Sequence, residues 1–460
     1  MKLHQYLRSR HSALFLILLL SFTIRCLTAN FIREHLSDPS WFQSGTYAHF
    51  DSKAQNILDG RSSPFWIDDP SQVEAAVYPP GYAMWVALVY KLTGVRSAQS
   101  VQQVQWLFDS LSVLLIVGIA VTAFDWRAGI ISGFLAALSP LLALYGSTPL
   151  ADAPTSWIVL AGVWLLLLAV KRQNLFLALI AGALVGFSCW FRSNALILPI
   201  FWALALLLAQ VVWKKRLFLA GSVVVGALLF LTPLAIRNAR AFQVFTPAGL
   251  GMGTNLWEGI GETERAAEFG AVYGDQALIE RERAELGVSR DTPFTLYHPD
   301  GVRRDRERTR RAFAVIRAHP FWYVKVMFRR MIGVLKFAGT PIPFIGSSGI
   351  NVTSEKSLPA NLRGGVLGAL VTTLGMVQSV VRYLLLPLIV AGVWFGFKRD
   401  RYISFLILVT VGYYLIVGSA LHTEIRYGLP MQALLFVFAR FGLSELGRRF
   451  TQINRDPNAR

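Results

Sequence analysis

Long apolar runs, each bounded by charged or turn-forming residues, alternate with polar stretches along most of the chain. A run of this kind can cross about 30 Å of hydrocarbon as a helix. Backbone groups in lipid must satisfy their own hydrogen bonds, and single runs do this as helices rather than as strands. The pattern therefore predicts an all-α polytopic membrane protein with about ten transmembrane helices. They are expected near residues 12–29, 104–124, 130–146, 153–170, 174–191, 194–212, 217–236, 380–397, 402–418 and 428–443.

Basic residues mark one side of the membrane at alternate crossings. The positive-inside rule makes these clusters cytoplasmic and places both termini inside. The clusters are Lys2 with Arg8 and Arg10, Lys171-Arg172, Lys214-Lys215-Arg216, Lys398-Arg399 with Arg401, and Arg448-Arg449. Most chemically suggestive residues then fall on the outer side, in the long segments 30–103 and 237–379 and in short turns. We interpret residues 1–443 as one transmembrane domain and residues 444–460 as a basic cytoplasmic tail.

The composition agrees with an integral membrane protein, because 54% of the residues are hydrophobic and the mean hydropathy is +0.47. The formal net charge of +18 is spread over both sides without a nucleic-acid-binding motif, so no nucleic-acid partner is expected. Membrane lipid is the expected partner of the cytoplasmic clusters. Cys26 and Cys189 both lie in predicted spans, and no disulfide framework is implied. A weak cleavage site after the first span favours an uncleaved helix.

The first outer segment contains two predicted helices. An amphipathic helix is expected over residues 47–60, because apolar positions recur at spacings of three and four and a glycine follows. Such a helix beside a membrane usually lies in the interface. Asp51 sits off the apolar stripe near the helix start, so it is either a helix-start or solvated carboxylate or a functional one. Pro79-Pro80-Gly81-Tyr82 then opens a short apolar helix, 82–93, that dips into the interface or packs on the spans.

Ionisable residues recur where the predicted spans reach the outer side. Asp152 stands at the start of a span, which is also a helix-capping position. Arg192 follows another span, where snorkelling to the interface would equally explain it. Arginines at the lipid boundary also match a phosphate whose tail lies in the bilayer, because guanidinium offers charge and bidentate geometry. The other outer candidates are Arg237, Asn238 and Arg240 after the seventh span, Trp257 in a glycine-rich stretch, and His422, Glu424 and Arg426 in one tight turn.

Two stretches of the long outer segment carry charge patterns of different kinds. Residues 258–312 interleave Glu and Arg, as in Glu280-Arg281-Glu282-Arg283, which is typical of a solvated helix face. Residues 310–337 combine aromatic residues with Lys325, Arg329 and Arg330. This combination predicts an interfacial helix whose cations snorkel toward water.

Taken in order, these motifs resemble the GT-C superfamily of membrane glycosyltransferases, in particular its dolichyl-phosphate-mannose protein mannosyltransferase-like and aminoarabinose-transferase-like branch. The resemblance covers most of the chain. It rests on an ordered set of short motifs: the Ala54–Gly60 pattern, Pro79-Pro80-Gly81-Tyr82, Leu150-Ala151-Asp152, Phe191-Arg192, Pro233 with Ile236-Arg237-Asn238, Asn255-Leu256-Trp257-Glu258-Gly259, His319-Pro320 and Arg426-Tyr427-Gly428-Leu429-Pro430.

The resemblance implies a GT-C-like fold and an enzyme that moves a hexose or pentose from a polyprenyl-phosphate donor to an acceptor, with inversion. It also implies a multi-pass protein of a bacterial plasma membrane with its active site on the outer face. The family's catalytic carboxylate lies in an acidic pair upstream of the Ala54 position, where this chain has Thr46-Tyr47. Asp51 is the expected base, with Asp38 upstream or some other acid as alternatives. Val77-Tyr78 replaces the Glu-Lys of the aminoarabinose branch, so that sugar preference is not expected.

One mechanism gives these residues roles. Asp51 and Asp152 are the catalytic candidates, with Asp51 taking the proton of an acceptor hydroxyl as its oxygen attacks the donor sugar. Arg237 and Arg426 would stabilise the phosphate leaving group, with Arg192, Arg240, Lys325 and Arg329 in reserve. The substrate-binding candidates are Tyr82, Asn238, Trp257, His422 and Glu424. No cofactor is assigned; a divalent metal stays open because His422 and Glu424 are close in sequence. The acceptor can be a protein, a lipid or a glycan.

Three other functions stay open. A transporter or flippase for a lipid-linked substrate would need ionisable residues near mid-span, which predicted spans three to seven almost lack. A non-catalytic lipid-binding assembly subunit would explain Thr46 in place of an acid. Another lipid-linked polymer enzyme, such as a ligase or polymerase, would have a similar outward site. The transferase interpretation requires Asp51, Asp152, Arg237 and Arg426 to converge on one cavity.

Overall fold

Helices form every regular element in the part of the chain that the structure, a computed structural model, describes: residues 2–33, 36, 46–65, 78–247, 249–335, 365–421 and 425–453. The first half contains α1 (Lys2–Ile32), α2 (Thr46–Leu58), α3 (Gly81–Thr93), α4 (Ala98–Ala123), α5 (Trp126–Leu138), α6 (Pro140–Ser147), α7 (Asp152–Arg172), α8 (Leu175–Ser188), α9 (Leu198–Leu206) and α10 (Trp213–Phe242). The second half contains α11 (Met252–Gly261), α12 (Ala266–Phe269), α13 (Asp275–Glu285), α14 (Gly301–Ala318), α15 (Pro320–Leu335), α16 (Val366–Arg399), α17 (Arg401–Ala420) and α18 (Leu429–Ile453).

The helices confirm the all-α membrane fold, but not the number of spans. Among the described residues, five helices are long and apolar enough to cross a membrane: Arg10–Asn30 of α1, and α4, α7, α10 and α17. The pair α5 and α6 raises the count to six if it is one broken span, bent by 59°. Helices α8 and α9 are apolar but shorter. Each predicted span contains helix, although α9 covers only part of 194–212 and two helices divide 130–146, and a count of about ten is not confirmed.

The bend between α5 and α6 has a local cause. Ser139 caps α6 by accepting a hydrogen bond from the Leu142 amide, and Pro140 occupies the first turn of α6. Proline at a first turn favours a new helix start over continuation of the preceding helix. The fully buried Arg25 then donates to the last carbonyls of α5, to Ala137 at 3.1 Å and to Ala136 at 3.4 Å.

Helices α8 and α10 approach closely enough for their backbones to touch. A Cβ atom on Gly182 would lie 1.9 Å from the Val223 carbonyl oxygen, and one on Gly226 would lie 2.0 Å from the Leu179 oxygen. Small residues at such spacing let membrane helices pack by direct van der Waals contact, because lipid supplies no hydrophobic driving force between them. This contact holds α8 and α10 together.

Three buried polar residues on one face of α4 connect it to its neighbours. We call Gln102, Gln105 and Asp109 the α4 polar stripe. Gln102 donates to the Ala29 carbonyl of α1 at 3.2 Å. The Asp109 carboxylate accepts from Arg25 Nε at 2.6 Å and from Trp157 Nε1 at 2.7 Å. Buried polar groups in a membrane bundle must be paired inside it, so the α4 polar stripe determines which helices α4 contacts.

Both predicted helices of the first outer segment are present. The amphipathic helix is α2, in which Phe50 and Ala54 are buried, and Gly60 beyond its end has a φ of +69°. The short apolar helix is α3. Of the two expected placements, in the interface or against the spans, the structure shows the second, because the Tyr82 and Val86 side chains of α3 are fully buried.

Residues 252–335 form a second, more polar unit, which we call the 252–335 subdomain. Its core contains Leu256, Trp257, Ile260, Leu278, Ala312 and Tyr323. The predicted solvated face of residues 258–312 is wrong at Glu282, whose carboxylate pairs with the buried Arg304 and Arg308 at 2.5 and 2.6 Å. Burial alone would raise the pKa of Glu282, but hydrogen bonds from the two arginines lower it below its usual value.

The stretch 310–337 also differs from the prediction. The chain breaks at His319-Pro320 into α14 and α15, so it is not a single helix. Arg330 does not snorkel: it is buried and donates to the Ser419 and Leu421 carbonyls at 3.1 and 2.6 Å. An arginine at this position ties α15 to the end of α17, whereas Lys325 and Arg329 are exposed as expected.

Gly226→Ala should destabilise the protein by about 1–3 kcal/mol, because the new methyl group collides with the α8 backbone. Gly221→Ala is the matched control on the same helix, since a Cβ atom on Gly221 would meet no other atom within 4 Å. Unfolding of the two variants in detergent measures the difference. Equal stability of the two variants would contradict the close approach of α8 and α10.

Candidate active site

Asp51 lies on α2 and is held by side chains of its own helix and of α3. Its Oδ1 accepts a hydrogen bond from the Tyr90 hydroxyl, and its Oδ2 accepts from Gln55 Nε2 at 3.0 Å. Tyr47 and Tyr90 share a hydrogen bond of 2.9 Å between their hydroxyl oxygens. Burial raises the pKa of both tyrosines, so they remain protonated donors beside the carboxylate. The partly buried Asp51 is thereby oriented and able to accept a proton.

The departure from the family's acidic pair has a structural counterpart. Tyr47 stands at one of those two positions, is buried, and takes part in the tyrosine pair that supports Asp51. The alternative base, Asp38, lies outside the described residues.

Three basic side chains, two on α2 and one near the end of α10, lie close enough to influence one another electrostatically. We call His49, Lys53 and Arg237 the basic cluster. Lys53 Nζ lies 3.5 Å from the Tyr78 carbonyl oxygen, and Arg237 Nε donates to the Pro64 carbonyl at 3.1 Å. Within the described residues, no carboxylate forms an ion pair with either cation.

The electrostatics of the basic cluster favour an anion. Burial, together with the nearby Arg237 charge, lowers the pKa of Lys53 to about 7. Burial and the Lys53 charge lower the pKa of His49 to about 3, so its ring is neutral near pH 7. His49 Nε2 is buried and has no hydrogen-bond partner among the described residues. A buried polar atom without a partner and two cations without described counter-charges are what an anionic ligand would satisfy.

Asn238 is placed to orient Arg237. Its Oδ1 accepts a hydrogen bond from Arg237 Nη1 at 2.9 Å, and its Nδ2 donates to the Thr246 carbonyl at 3.0 Å. Both ends of the amide are therefore used within the protein. The structure gives Asn238 a supporting role next to the cation, whereas the sequence suggests contact with substrate.

A second charged group forms around Asp152, Arg192 and Arg426. The Asp152 carboxylate is buried at the start of α7 and accepts from Arg192 Nη1. It does not cap α7, whose cap residue is Ala151. The Arg192 guanidinium lies 4.8 Å from the centre of the Tyr427 ring, and that of Arg426 lies 5.6 Å from the same ring. Snorkelling therefore does not describe Arg192, which is engaged inside the protein.

The Pro79-Pro80-Gly81-Tyr82 turn lies between these groups. The Gly81 amide donates to the Trp190 carbonyl at 2.7 Å, and a Cβ atom on Gly81 would lie 2.6 Å from that oxygen. Only glycine fits this approach without displacement. Tyr82 is fully buried, with its ring centre 4.9 Å from that of Phe50. Burial, then the nearby Tyr47 and Asp152, raises the pKa of Tyr82.

The two aromatic candidates for substrate binding are almost completely buried. Tyr82 is 0% exposed, and its hydroxyl donates to Gln105 Oε1 at 2.9 Å. Trp257 is 4% exposed and packs in the core of the 252–335 subdomain. In this structure both rings pack chiefly in hydrophobic cores, so substrate binding by Tyr82 and Trp257 stays a prediction.

The reserve cations other than Arg192 are exposed side chains. Arg329 pairs with Glu264 at 2.9 Å, and both side chains are exposed. Lys325 and Arg240 are also exposed. His422 and Glu424 lie outside the described residues. Within the described ranges, no three His, Cys, Asp or Glu side chains lie close enough together to hold a metal ion.

Comparison with known proteins bears on the fold. The model of the dolichyl-phosphate-mannose-protein mannosyltransferase family matches residues 77–236, which include the Gly81 turn, Asp152 and Arg192. No curated protein sequence matches the chain. This chain superimposes over 98% of its length on the oligosaccharyltransferase AglB from Archaeoglobus fulgidus, with a TM-score of 0.51 and 14% identity. That structure was solved with an inhibitory peptide and a dolichol-phosphate. The chain has the GT-C fold.

A second oligosaccharyltransferase structure agrees with this fold. The A. fulgidus oligosaccharyltransferase in complex with Zn and sulfate gives a TM-score of 0.51 and 15% identity over 95% of this chain. The alignment with ArnT from Cupriavidus metallidurans, bound to undecaprenyl phosphate, covers 87% of this chain and 72% of ArnT at 15% identity. Its TM-score of 0.35 is too low to support a shared fold. The chain spans about half the length of the two oligosaccharyltransferase structures, 52% and 49%.

Several residues that the structure places in or near the candidate site were not predicted from the sequence. His49 and Lys53 are four residues apart on a helix that the sequence does predict, so their shared face was a readable signal. Tyr90 and Gln105 gave no such signal, because their partners lie on other helices. Arg25 and Asp109 were also missed, although each is an isolated charge in an apolar run, which is itself unusual in a membrane helix.

Arg192→Leu should destabilise the protein by about 3–5 kcal/mol, because it leaves the buried Asp152 carboxylate without its ion-pair partner. The double variant Arg192→Leu/Asp152→Leu should recover most of this loss, since no charge then remains buried. Arg329→Leu is the control: its pair with Glu264 is exposed and contributes about 1 kcal/mol or less. The free energy of unfolding in detergent measures all three. A double variant less stable than Arg192→Leu would contradict the pairing.

Proposed function

We propose that the chain is a glycosyltransferase that moves a sugar from a polyprenyl-phosphate donor to an acceptor at the outer face of the membrane. The GT-C fold supports a lipid-linked donor, and the AglB structure to which it is similar contains a dolichol-phosphate. The observation that carries the proposal is the basic cluster, whose two cations lack described counter-charges and whose His49 and Lys53 share α2 with the oriented carboxylate of Asp51. Transfer from a phosphate leaving group requires both a proton acceptor and a counter-charge.

Asp51 is the proposed general base. Its carboxylate accepts the proton of the acceptor hydroxyl while the hydroxyl oxygen forms a bond to C1 of the donor sugar. The bond between C1 and the phosphate oxygen breaks, and its electron pair leaves with the polyprenyl phosphate. Attack on the face opposite the leaving group inverts C1. Tyr90 keeps the carboxylate oriented for this step, because its own proton is retained.

The basic cluster is the proposed site of the donor phosphate. Charge on the phosphate increases as the glycosidic bond breaks, and fixed cations in a partly buried site stabilise that charge. Arg237 supplies a permanent charge, Lys53 a titratable one, and His49 a neutral ring nitrogen. Arg426, beside the Asp152–Arg192 pair, is the second proposed phosphate contact, whereas the exposed Arg240, Lys325 and Arg329 are left out.

The outer face is proposed from the charge distribution along the chain. Asp152 and the basic pair Lys171-Arg172 lie at opposite ends of α7, and the basic run Lys214-Lys215-Arg216 lies at the end of α10 opposite Arg237. Under the positive-inside rule those basic residues are cytoplasmic, which puts the basic cluster outside.

Asp51→Asn should reduce the turnover number about 10²–10⁴-fold, the usual contribution of a general base. Arg237→Gln should reduce it about 10²–10³-fold through loss of electrostatic stabilisation. Asp59→Asn, at an exposed carboxylate that follows α2 and pairs with Arg61 and Arg96, is the matched control and should retain turnover. Sugar release from a panel of polyprenyl-phosphate sugars, with the purified protein in liposomes, measures this. Full turnover of Asp51→Asn would rule out this base, and donor binding without turnover by the unaltered protein would favour an assembly subunit.

Donor binding should weaken as the pH rises through about 7, by up to about tenfold per pH unit. Below that pH Lys53 is already charged; above it, binding must take up a proton. The donor is a phosphodiester, whose charge does not change in this range, and His49 is neutral throughout. Lys53→Met should bind weakly with little pH dependence between pH 6 and 9, whereas Lys91→Met, an exposed cation of α3, should retain the profile. A profile retained in Lys53→Met would exclude Lys53 as the titrating group.

A further inference from the structure

Gln105 connects the Pro79–Tyr82 turn to the loop that leads into Asp152. It is fully buried on α4. Its Oε1 accepts the hydrogen bond from the Tyr82 hydroxyl at 2.9 Å, and its Nε2 donates to the Thr148 carbonyl at 2.6 Å. The same Nε2 lies 3.4 Å from the Tyr145 carbonyl. One amide therefore contacts both the Pro79–Tyr82 turn and the loop that leads into Asp152.

Few other side chains could make these contacts together. The bridge needs an acceptor for a hydroxyl on one side and a donor for a carbonyl on the other, and an amide supplies both without charge. Leucine of similar size would leave the Tyr82 hydroxyl and the Thr148 carbonyl without this partner in a buried place, which is costly. The geometry thus uses both the acceptor and the donor side of the Gln105 amide.

The two segments that Gln105 joins carry different parts of the proposed site. The Tyr82 segment begins α3, whose Tyr90 orients Asp51. The Thr148 segment leads to Asp152, which holds Arg192 beside Tyr427 and Arg426. A displacement of either segment relative to the other would separate the base from the second charged group. Misplacement of about 1 Å is sufficient to lower a reaction rate about 10²-fold.

We propose that Gln105 is a positioning residue, whose amide fixes the Tyr82 segment and the Asp152 segment in the relative geometry needed for transfer. The expected loss of turnover rests on the proposed function, whereas the expected loosening of the two segments does not. Gln105 touches neither donor nor acceptor; it acts through Tyr82 and through the Thr148 loop.

The α4 polar stripe supplies a matched control. Gln102 is also a buried glutamine, three residues away on the same helix, but it bonds the Ala29 carbonyl of α1 and neither motif segment. Gln102→Leu and Gln105→Leu therefore remove comparable buried amides. We expect Gln105→Leu to lower the turnover number about 10²-fold with the donor KM unchanged, and Gln102→Leu to leave both constants within about twofold. A turnover number for Gln105→Leu equal to that of Gln102→Leu would overturn the proposal.

Two further readouts separate positioning from general stability. The turnover number of the double variant Tyr82→Phe/Gln105→Leu should be no lower than that of Gln105→Leu alone, because both changes break the same bridge. Gln105→Glu should support turnover at low pH, where its buried carboxyl is protonated and can donate to Thr148, and should lose it relative to the unaltered protein as the pH rises. The bridge would be contradicted if the two single fold-reductions in turnover number multiplied in the double variant. A folded Gln105→Glu variant that is inactive at every pH would contradict it as well.

Hydrogen exchange distinguishes failure of this inference from failure of the proposed function. In Gln105→Leu, peptides that cover residues 79–84 and 146–152 should exchange faster together, and in Gln102→Leu neither should change. If the unaltered protein transfers no sugar but this exchange pattern is observed, the transferase proposal fails and the bridge stands. If exchange in both segments is unchanged in Gln105→Leu, the bridge fails whether or not Asp51→Asn abolishes turnover.

Discussion

The arrangement of the site depends on the backbone contact between Gly81 and Trp190. This contact brings the start of α3 against the end of α8, where any side chain on Gly81 would collide with the Trp190 carbonyl. From that fixed point α3 carries Tyr82 inward and, two turns later, Tyr90 toward Asp51. The next residues after Trp190 lead to Arg192 and its ion pair with Asp152. A single hydrogen-bonded approach of two backbones therefore relates the groups around Asp51 and Asp152.

Buried charge in this fold has two distinct uses. Arg25 and Asp109 form an ion pair within the bundle, and their remaining hydrogen-bonding groups are used by Trp157 and by the carbonyls that end α5. An intramembrane ion pair is what a transporter would be expected to have, but a pair with its bonds satisfied by the protein has little capacity left for cargo. The basic cluster is the opposite case, because its cations lack counter-charges among the described residues. That contrast is why we associate the basic cluster, and not Arg25 with Asp109, with a ligand.

Much of the fold was predictable from the sequence, because hydrophobic periodicity and helix-ending glycines act locally. The apolar face of α2, its end near Gly60 and the start of α3 after two prolines all follow from spacing along the chain. The ordered motifs also led to the GT-C fold, and Asp152, Arg192 and Arg426 do come together. The local patterns failed where a side chain's role depends on a distant partner. Glu282 and Arg330 occupy sequences typical of solvated or interfacial helices, yet both are engaged by residues outside their own helix. Exposure of Trp257 and Tyr82 was likewise not readable, since it depends on tertiary packing.

The bend between α5 and α6 illustrates how this bundle treats an interrupted helix. A break inside a membrane helix normally exposes carbonyl groups that lipid cannot satisfy. Here the guanidinium of Arg25, itself anchored by Asp109, meets the Ala136 and Ala137 carbonyls at the break. Straightening the helix would abandon those bonds and leave a buried cation facing apolar side chains. Hydrogen bonds that involve a buried ion pair therefore stabilise the bent form of this helix pair.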